Sequence, residues 1–386
     1  MKICFICNEY PPMYAGGIGI FVKNLAEALA REDVDVHVLG FGRKQTHPEE
    51  INGVKVHWIW LPNPLYKKIR ISGYPFSIAG LIKRHYLSLA LANLTRKEGF
   101  NVIEGYDFDG PLGYHPPSKF IVRLHGSVTV YRFGEGRPDE IHPLQKHFEI
   151  KNMRMADHVI AVSEHIGEMT NQVMGLERPY QVIYNAVDTQ LFSPIKVAPE
   201  PKTILFVGNM MWRKGVFDLI RAMPLILDRH PEAILKIAGG SSGAHQVQLH
   251  QTLIAVGESE SQHSELLGRV AHKELPELLN RTSVFVFPSR VEAFGLTCAE
   301  AMACGRPVVA TRMASGPELV EDGVSGLLAD PTEPKDLAEK ICAVLDDPGL
   351  SQRLGKAARE RATKLFDLEK NLKSNLAFYN KVLHSD

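Results

Sequence analysis

The feature that most limits what this chain can fold into is its rhythm of short apolar runs, each followed by a turn and then by a helix pattern. Strands alternating with helices build a parallel sheet covered on both faces. One series of strands reads at 2–8, 34–40, 54–60, 101–104, 119–124 and 157–162. Its first helix, Gly19 to Ala30, places Phe21, Val22, Leu25, Ala28 and Leu29 on one stripe. A second series reads at 203–208, 233–238, 283–287, 307–310 and 325–329. Between them, the segment 193–202 carries three prolines in ten residues and reads as a linker. The expected fold is α/β: two Rossmann-like, doubly wound domains facing across a cleft, at 1–190 and 200–365. Open sheets of this kind bind ligands beyond the carboxyl ends of their strands, so the strand-to-helix turns are where function is sought.

The bulk numbers narrow the classes. The 386 residues are enough for two domains with full cores. Lys plus Arg is 44 and Asp plus Glu is 44, so no global charge draws the chain onto nucleic acid. No run of 18 uncharged apolar residues appears, so no transmembrane helix is expected. The apolar run at Met1–Cys7 is too short for a signal peptide, and the five cysteines (4, 7, 298, 304 and 342) form no disulfide framework. A cytoplasmic location is expected. Cys4 and Cys7 form a C-x-x-C, but three apart on a strand they face opposite sides, which argues against a redox pair.

The stretch from Pro288 to Pro307 is the most informative for function. Glu292 and Glu300 lie eight residues apart with Phe294-Gly295-Leu296 between them. Thr297 and Glu300 read as a capping box, so a helix is expected to start near Thr297 and to end at Gly305. The amides of Gly295, Leu296 and Thr297 would then point out of a helix N-terminus, where an anion is favoured. A carboxylate on each side of that site suits a nucleotide sugar, with sugar and ribose flanking a diphosphate. The plainer alternative is a helix-capping Glu300 and a solvated Glu292.

Other turns add to this. Ala15-Gly16-Gly17-Ile18-Gly19 opens a helix and lets backbone approach a phosphate or sugar. A dinucleotide fingerprint fits it poorly: Gly17-x-Gly19-x-x-Val22 lacks the third glycine, and Gly42-Arg43-Lys44 stands where an acid is expected. An NADP site or a purely structural turn stays open there. Gly208-Asn209-Met210-Met211-Trp212-Arg213-Lys214-Gly215 sets two cations before a helix whose apolar face is Val216, Leu219, Ile220 and Met223. The macrodipole disfavours cations at that end, so either an anion sits between them or the turn is solvated. His125 follows the strand 119–124 and precedes a glycine, which places it for function or for structure. Asp107-Phe108-Asp109 resembles a metal-binding D-x-D, but two acids alone are weak evidence. His142 and His147 have no zinc-ligand spacing, and no metal is expected.

From Ile51 to Lys97 there is no Asp or Glu, while Lys55, Lys67, Lys68, Arg70, Lys83, Arg84, Arg96 and Lys97 are present. Trp58, Trp60, Tyr66, Tyr74, Phe76 and Tyr86 are interleaved. A peripheral contact with the cytoplasmic membrane face, an anionic acceptor or a solvated basic face would each account for this stretch.

Together these motifs, in this order, resemble glycosyltransferase family 4, retaining enzymes of the GT-B fold. The resemblance covers nearly the whole chain and includes Asn185-Ala186-Val187-Asp188 and Ser315-Gly316-Pro317-Glu318. The spacing of Glu292 and Glu300 matches the family's E-x7-E. It implies a nucleoside-diphosphate-sugar donor, a hydroxyl acceptor and no cofactor or metal. Lys214 and the amides around Phe294, Gly295, Leu296 and Thr297 would hold the diphosphate, with Gly16 and Gly17 bordering it. Glu300 would bind the ribose and Glu292 would lie beside the transferred sugar. His125 would touch that sugar, and Arg269-Val270 would flank the base. The helix in 366–386 would pack back on the first domain. The family usually has Arg directly after the glycine at 208; here the residue is Asn209, and Arg213 is the candidate substitute. A nucleotide-sugar epimerase or a non-catalytic nucleotide-sugar binder are the alternatives.

Overall fold

The structure, a computed structural model, describes residues 1–12, 16–45, 47–61, 78–108, 110–111, 114–240, 244–257 and 262–384. The chain forms two compact units, Met1–Asn185 with Leu368–Asp386, and Ala186–Asp367. The chain therefore crosses between units at 185–186 and 367–368, not in the proline-rich segment. Residues 193–202 belong to the second unit, where Lys202 Nζ donates to the Leu345 carbonyl (2.7 Å) and the Glu200 amide to Arg281 (2.7 Å). Prolines there act as fixed surface, not as a flexible joint.

The first unit holds β1 (Lys2–Ile6), β2 (Asp35–Phe41), β3 (Glu49–Ile51), β4 (Val54–Ile59), β5 (Val102–Tyr106), β6 (Lys119–Leu124), β7 (His158–Ala161) and β8 (Gln181–Val182). Their order is β3-β4-β2-β1-β5-β6-β7-β8, parallel throughout except for the antiparallel β3. The second unit holds β9 (Thr203–Val207), β10 (Ile234–Ala238), β11 (Ser264–Gly268), β12 (Val284–Phe287), β13 (Val308–Thr311) and β14 (Leu327–Ala329), all parallel in the order β11-β10-β9-β12-β13-β14. Both sheets start in the middle, wind to one edge, then return and wind to the other. The order reverses between β1 and β5, and between β9 and β12. Doubly wound sheets place their ligand sites at such a reversal, at the strands' carboxyl ends.

The cores follow from the pattern. β5 and β12 are buried along their whole length, as strands covered on both faces must be. The first helix runs Gly17–Arg31 and buries Phe21, Val22, Leu25, Ala28 and Leu29. The helix Val216–Leu227 buries Val216, Leu219, Ile220 and Met223 in an all-apolar cluster with Ile204, Leu235 and Val286. All five cysteines are free and buried, and burial pushes the Cys7 thiol up to about 12. Among the described residues no helix is long and apolar enough to cross a membrane.

The last helix, Leu368–His384, docks on the first unit by a polar network. Arg123 and Glu104 are 1% and 3% exposed and pair at 2.7 Å. Arg123 also donates to Asn375 Oδ1 (2.6 Å), and the Tyr379 hydroxyl donates to Glu104 (2.8 Å). Asn375 and Tyr379 lie on the helix face with Leu372, so this buried face also supplies partners to a buried ion pair.

Candidate functional site

The second sheet reverses between β9 and β12, and the loops after these two strands meet. Gly215 stands in the left-handed region (φ 71°), and a Cβ there would lie 1.9 Å from the Pro288 carbonyl oxygen. Only glycine permits that approach. The Arg213 carbonyl accepts the amides of Arg290 (2.8 Å) and Val291 (3.2 Å). The Arg290 guanidinium grips the buried Asp218 by two bonds (2.8 and 2.7 Å) and covers the Trp212 ring at 4.7 Å. These ties bring Lys214 onto Glu292, where Nζ donates to the carboxylate. Burial opposes the Glu292 charge, but Lys214 and then Arg213 outweigh it and hold the carboxyl below its usual range.

The next helix starts differently from the sequence expectation. It runs Leu296–Ala303 with Gly295 as its N-cap at φ 103°, and no side chain caps it. The Thr297–Glu300 capping box does not form, because the left-handed glycine takes the cap position and puts Thr297 inside the first turn. A Cβ on Gly295 would sit 2.5 Å from the Phe287 ring. The first-turn amides of Leu296 and Thr297 still lack acceptors within the helix. The far end forms as expected: Gly305 (φ 68°) donates to Met302 (2.9 Å), and Arg306 to Ala301 (3.1 Å). Phe294 is 2% exposed with its ring against Phe366, so its contribution to this end of the sheet is backbone only.

The Glu300 carboxylate turns to His272, with Nε2 to Oε1 at 2.8 Å. Burial raises its pKa, and His272 pulls against that rise. His272 lies after β11, as do Arg269 and Val270. Arg269 lines a cavity of about 360 Å³ with Met210, Gly240 and His250. Asn209 is exposed, and its carbonyl accepts the Met211 amide (2.8 Å).

At the carboxyl ends of the first sheet, the Gly16 amide donates to the Glu9 carboxylate (3.0 Å), and a Cβ on Gly19 would lie 2.1 Å from the Glu9 carbonyl oxygen. Gly17 is the first residue of the helix. His125 is 7% exposed, with its ring 5.2 Å from that of Phe21. Burial, with the Arg123 cation, drives its pKa down to about 3, so the imidazole is neutral. Asp107 does not present itself to a metal. It is fully buried and accepts the amides of His125 (3.2 Å) and Gly126 (3.0 Å), and burial raises its pKa to about 7. Asp109 lies outside the described residues. His142 caps its helix through Nδ1 (3.2 Å to the Leu144 amide), and His147 packs edge-on to Phe148.

The basic stretch 51–97 does not form one charged surface among the described residues. Lys55 pairs with Asp35 (2.9 Å), and Arg84 is 3% exposed and donates to the Gly110 carbonyl (3.1 Å). Trp58 is buried, whereas Trp60 is 47% exposed. Lys67, Lys68, Arg70, Tyr66, Tyr74 and Phe76 lie outside the described residues.

Four groups escape a reading of the sequence: His272, Asp218, Glu9, and Asp107 as a brace for His125. Each acts through a partner that becomes adjacent only in the fold. A weak signal existed for His272, since it follows Arg269-Val270 by two residues.

Known proteins resemble this chain along nearly its whole length. The family described as Glycosyltransferase Family 4 matches residues 15–191, and that described as Glycosyl transferases group 1 matches 188–361. An uncharacterized glycosyltransferase of Methanocaldococcus jannaschii is 30% identical over 96% of this chain and 95% of its own length. A glycogen synthase of Mycobacterium tuberculosis is 29% identical over 95% of this chain and 91% of its own. Among solved structures, a sucrose-phosphate synthase from Thermosynechococcus elongatus superposes with a TM-score of 0.82 at 22% identity, covering 100% of both chains. Anabaena HepE in complex with UDP and glucose gives 0.75 at 19% identity, covering 99% of this chain and 100% of that one. The chain belongs to glycosyltransferase family 4, and its two doubly wound units are those of a GT-B glycosyltransferase.

Proposed function

We propose that the chain transfers a sugar from a nucleoside-diphosphate sugar to a hydroxyl acceptor, with retention of configuration and without a metal ion. The observation that carries this is the Lys214–Glu292 pair at the second sheet's reversal, beside the start of the helix Leu296–Ala303. A lysine gripping a mostly buried carboxylate, with Arg213 close enough to act on the same group, is a preset charge pattern. When a diphosphate leaves, negative charge grows on its oxygens. Lys214, Arg213 and the amides of Gly295, Leu296 and Thr297 are the groups assigned to meet that charge. Glu292 is assigned to the transferred sugar, where a carboxylate stabilises an oxocarbenium-like centre. Glu300 takes the ribose hydroxyls, and Arg269-Val270 flank the base. The family role of His125, contact with the transferred sugar, suits an imidazole that stays neutral and can donate or accept one hydrogen bond. In the transfer, the anomeric carbon–oxygen bond to the diphosphate breaks. The acceptor oxygen bonds to that carbon on the same face, and its proton passes to the departing diphosphate.

UDP in the HepE complex makes UDP-sugars the first donors to assay, with GDP- and ADP-sugars beside them. Lys214→Ala is expected to lose ~10²–10³ in turnover, or about 3–4 kcal/mol. Turnover in EDTA and an unchanged anomeric configuration of the product, read by NMR, are the companion expectations. Normal turnover by Lys214→Ala would remove the diphosphate assignment. Loss of activity in EDTA would remove the metal-independent reading.

A further inference from the structure

Glu300 lies in the helix Leu296–Ala303 and is 5% exposed. Among the described residues, His272 is the side chain that donates to its carboxylate, Nε2 to Oε1 at 2.8 Å. His272 comes from a different element, the short turn His272–Glu274 after β11. Its ring packs on that of Phe192, 5.1 Å between centroids. The imidazole is therefore held by a neighbour of its own and is not merely resting on the carboxylate.

A buried carboxylate with no donor has two ways to lower its energy: it takes up a proton, or it rotates toward whatever polar group is nearest. Either would spoil it as an acceptor for two adjacent hydroxyls. One fixed N–H on one oxygen prevents both. It favours the charged form and sets the plane of the group, while the second oxygen is left to accept. From this geometry we infer that His272 is a positioning residue for the donor's ribose: it fixes the Glu300 carboxylate so that a vicinal diol can bind to it. The inference rests on the assignment of Glu300 to the ribose.

The test compares a nucleoside diphosphate with its 2′,3′-dideoxy form, by calorimetry, using whichever of UDP, GDP and ADP gives the largest thermal shift. Hydrogen bonds to a charged group predict that the wild-type chain prefers the ribose form by about tenfold or more. His272→Ala is expected to narrow that preference to about threefold or less, while binding of the dideoxy form stays within about twofold. His272→Gln, which keeps an N–H at a similar reach, is expected to recover most of the preference. A purely structural role would weaken both nucleotides together. Should His272→Ala bind neither form, the Gln variant decides, and a Gln variant that binds without the preference overturns the inference. If Glu300→Gln loses the preference and His272→Ala keeps it, His272 has no positioning role. If Glu300→Gln keeps it too, the ribose assignment of Glu300 fails and the inference falls with it.

Discussion

The same winding from the middle strand to each edge carries different electrostatics in the two units. At the carboxyl ends of the first sheet, His125 is uncharged, and the carboxylates of Asp107 and Glu9 are taken up by backbone amides. Its strongest charges, Arg123 and Glu104, are sealed in the core beneath the tail helix. At the same end of the second sheet, the Lys214 ammonium grips the Glu292 carboxylate beside an unfinished helix turn. A doubly wound sheet sets where a site is, and the loops set what it can hold. In the proposed reading, the second unit takes the anion and the first a neutral, hydroxyl-rich group.

The sharpest way to break this contrast is to cut each unit at its own charge pair. Arg123→Ala leaves Glu104 buried and unpaired, and losses of this kind run to about 3–5 kcal/mol. The expected outcome is a lower urea midpoint with early proteolysis of the tail helix, while the second unit keeps its nucleotide affinity. Equal loss of nucleotide binding would show that the units are not separable in this way. The matching cut, Lys214→Ala, should act mainly on turnover. Glu292 keeps Arg213 nearby and can take up a proton, which limits the cost to the fold.

Acid distinguishes the units more gently. His57 packs on His37, Nε2 to Nδ1 at 3.0 Å, and burial lowers its pKa to about 4. An unfolded imidazole titrates near 6.5. Between those values the unfolded state binds more protons, so stability rises with pH. It is fully present above about 6.5 and is lost as pH falls toward 4, by up to about 3 kcal/mol for His57. His125 acts in the same direction. In the second unit, the stability that the lowered Glu292 contributes is present above the usual carboxylate range and is lost only below it. A Trp212→Phe variant leaves Trp58 and Trp60 as reporters of the first unit alone. Asp107, raised to about 7 by burial, opposes the imidazoles as pH falls, so the His57 contribution is read against the same variant carrying His57→Gln, whose denaturation midpoint should fall less, or rise more, from pH 7 to pH 5. Identical profiles for the two would mean that His57 titrates normally.

The sequence made the strands legible wherever both faces are covered, because a run such as Val284–Phe287 has no polar face to show. It hid β11, whose Glu265, Leu266 and Leu267 are exposed and give no apolar run. β3 and β8 were also hidden, being too short at sheet edges. The two glutamates were found by spacing, but Thr297 and Glu300 suit a capping box equally well whether or not one forms. What decides is the left-handed Gly295, a backbone angle that no side-chain pattern displays. The pairs Glu300–His272, Asp218–Arg290 and Arg123–Asn375 join residues 28, 72 and 252 apart, so each polar partner reads as surface until the fold brings it home.

The smallest expected effect bears on the one family departure, Asn209. If Arg213 supplies the cation that the family places after Gly208, restoring arginine at 209 adds a second, exposed charge to an anion already gripped. Exposed pairs of this kind contribute up to about 1 kcal/mol, so Asn209→Arg should tighten nucleoside-diphosphate binding about fivefold at most. Arg213→Ala should weaken it in the natural background and much less beside Asn209→Arg. The interaction between the two changes, read from a double-mutant cycle at low salt, is therefore expected to be non-zero. Strict additivity would mean that the two positions serve different groups. Arg213 would then leave the diphosphate cradle, and Lys214 would remain the one cation assigned to it.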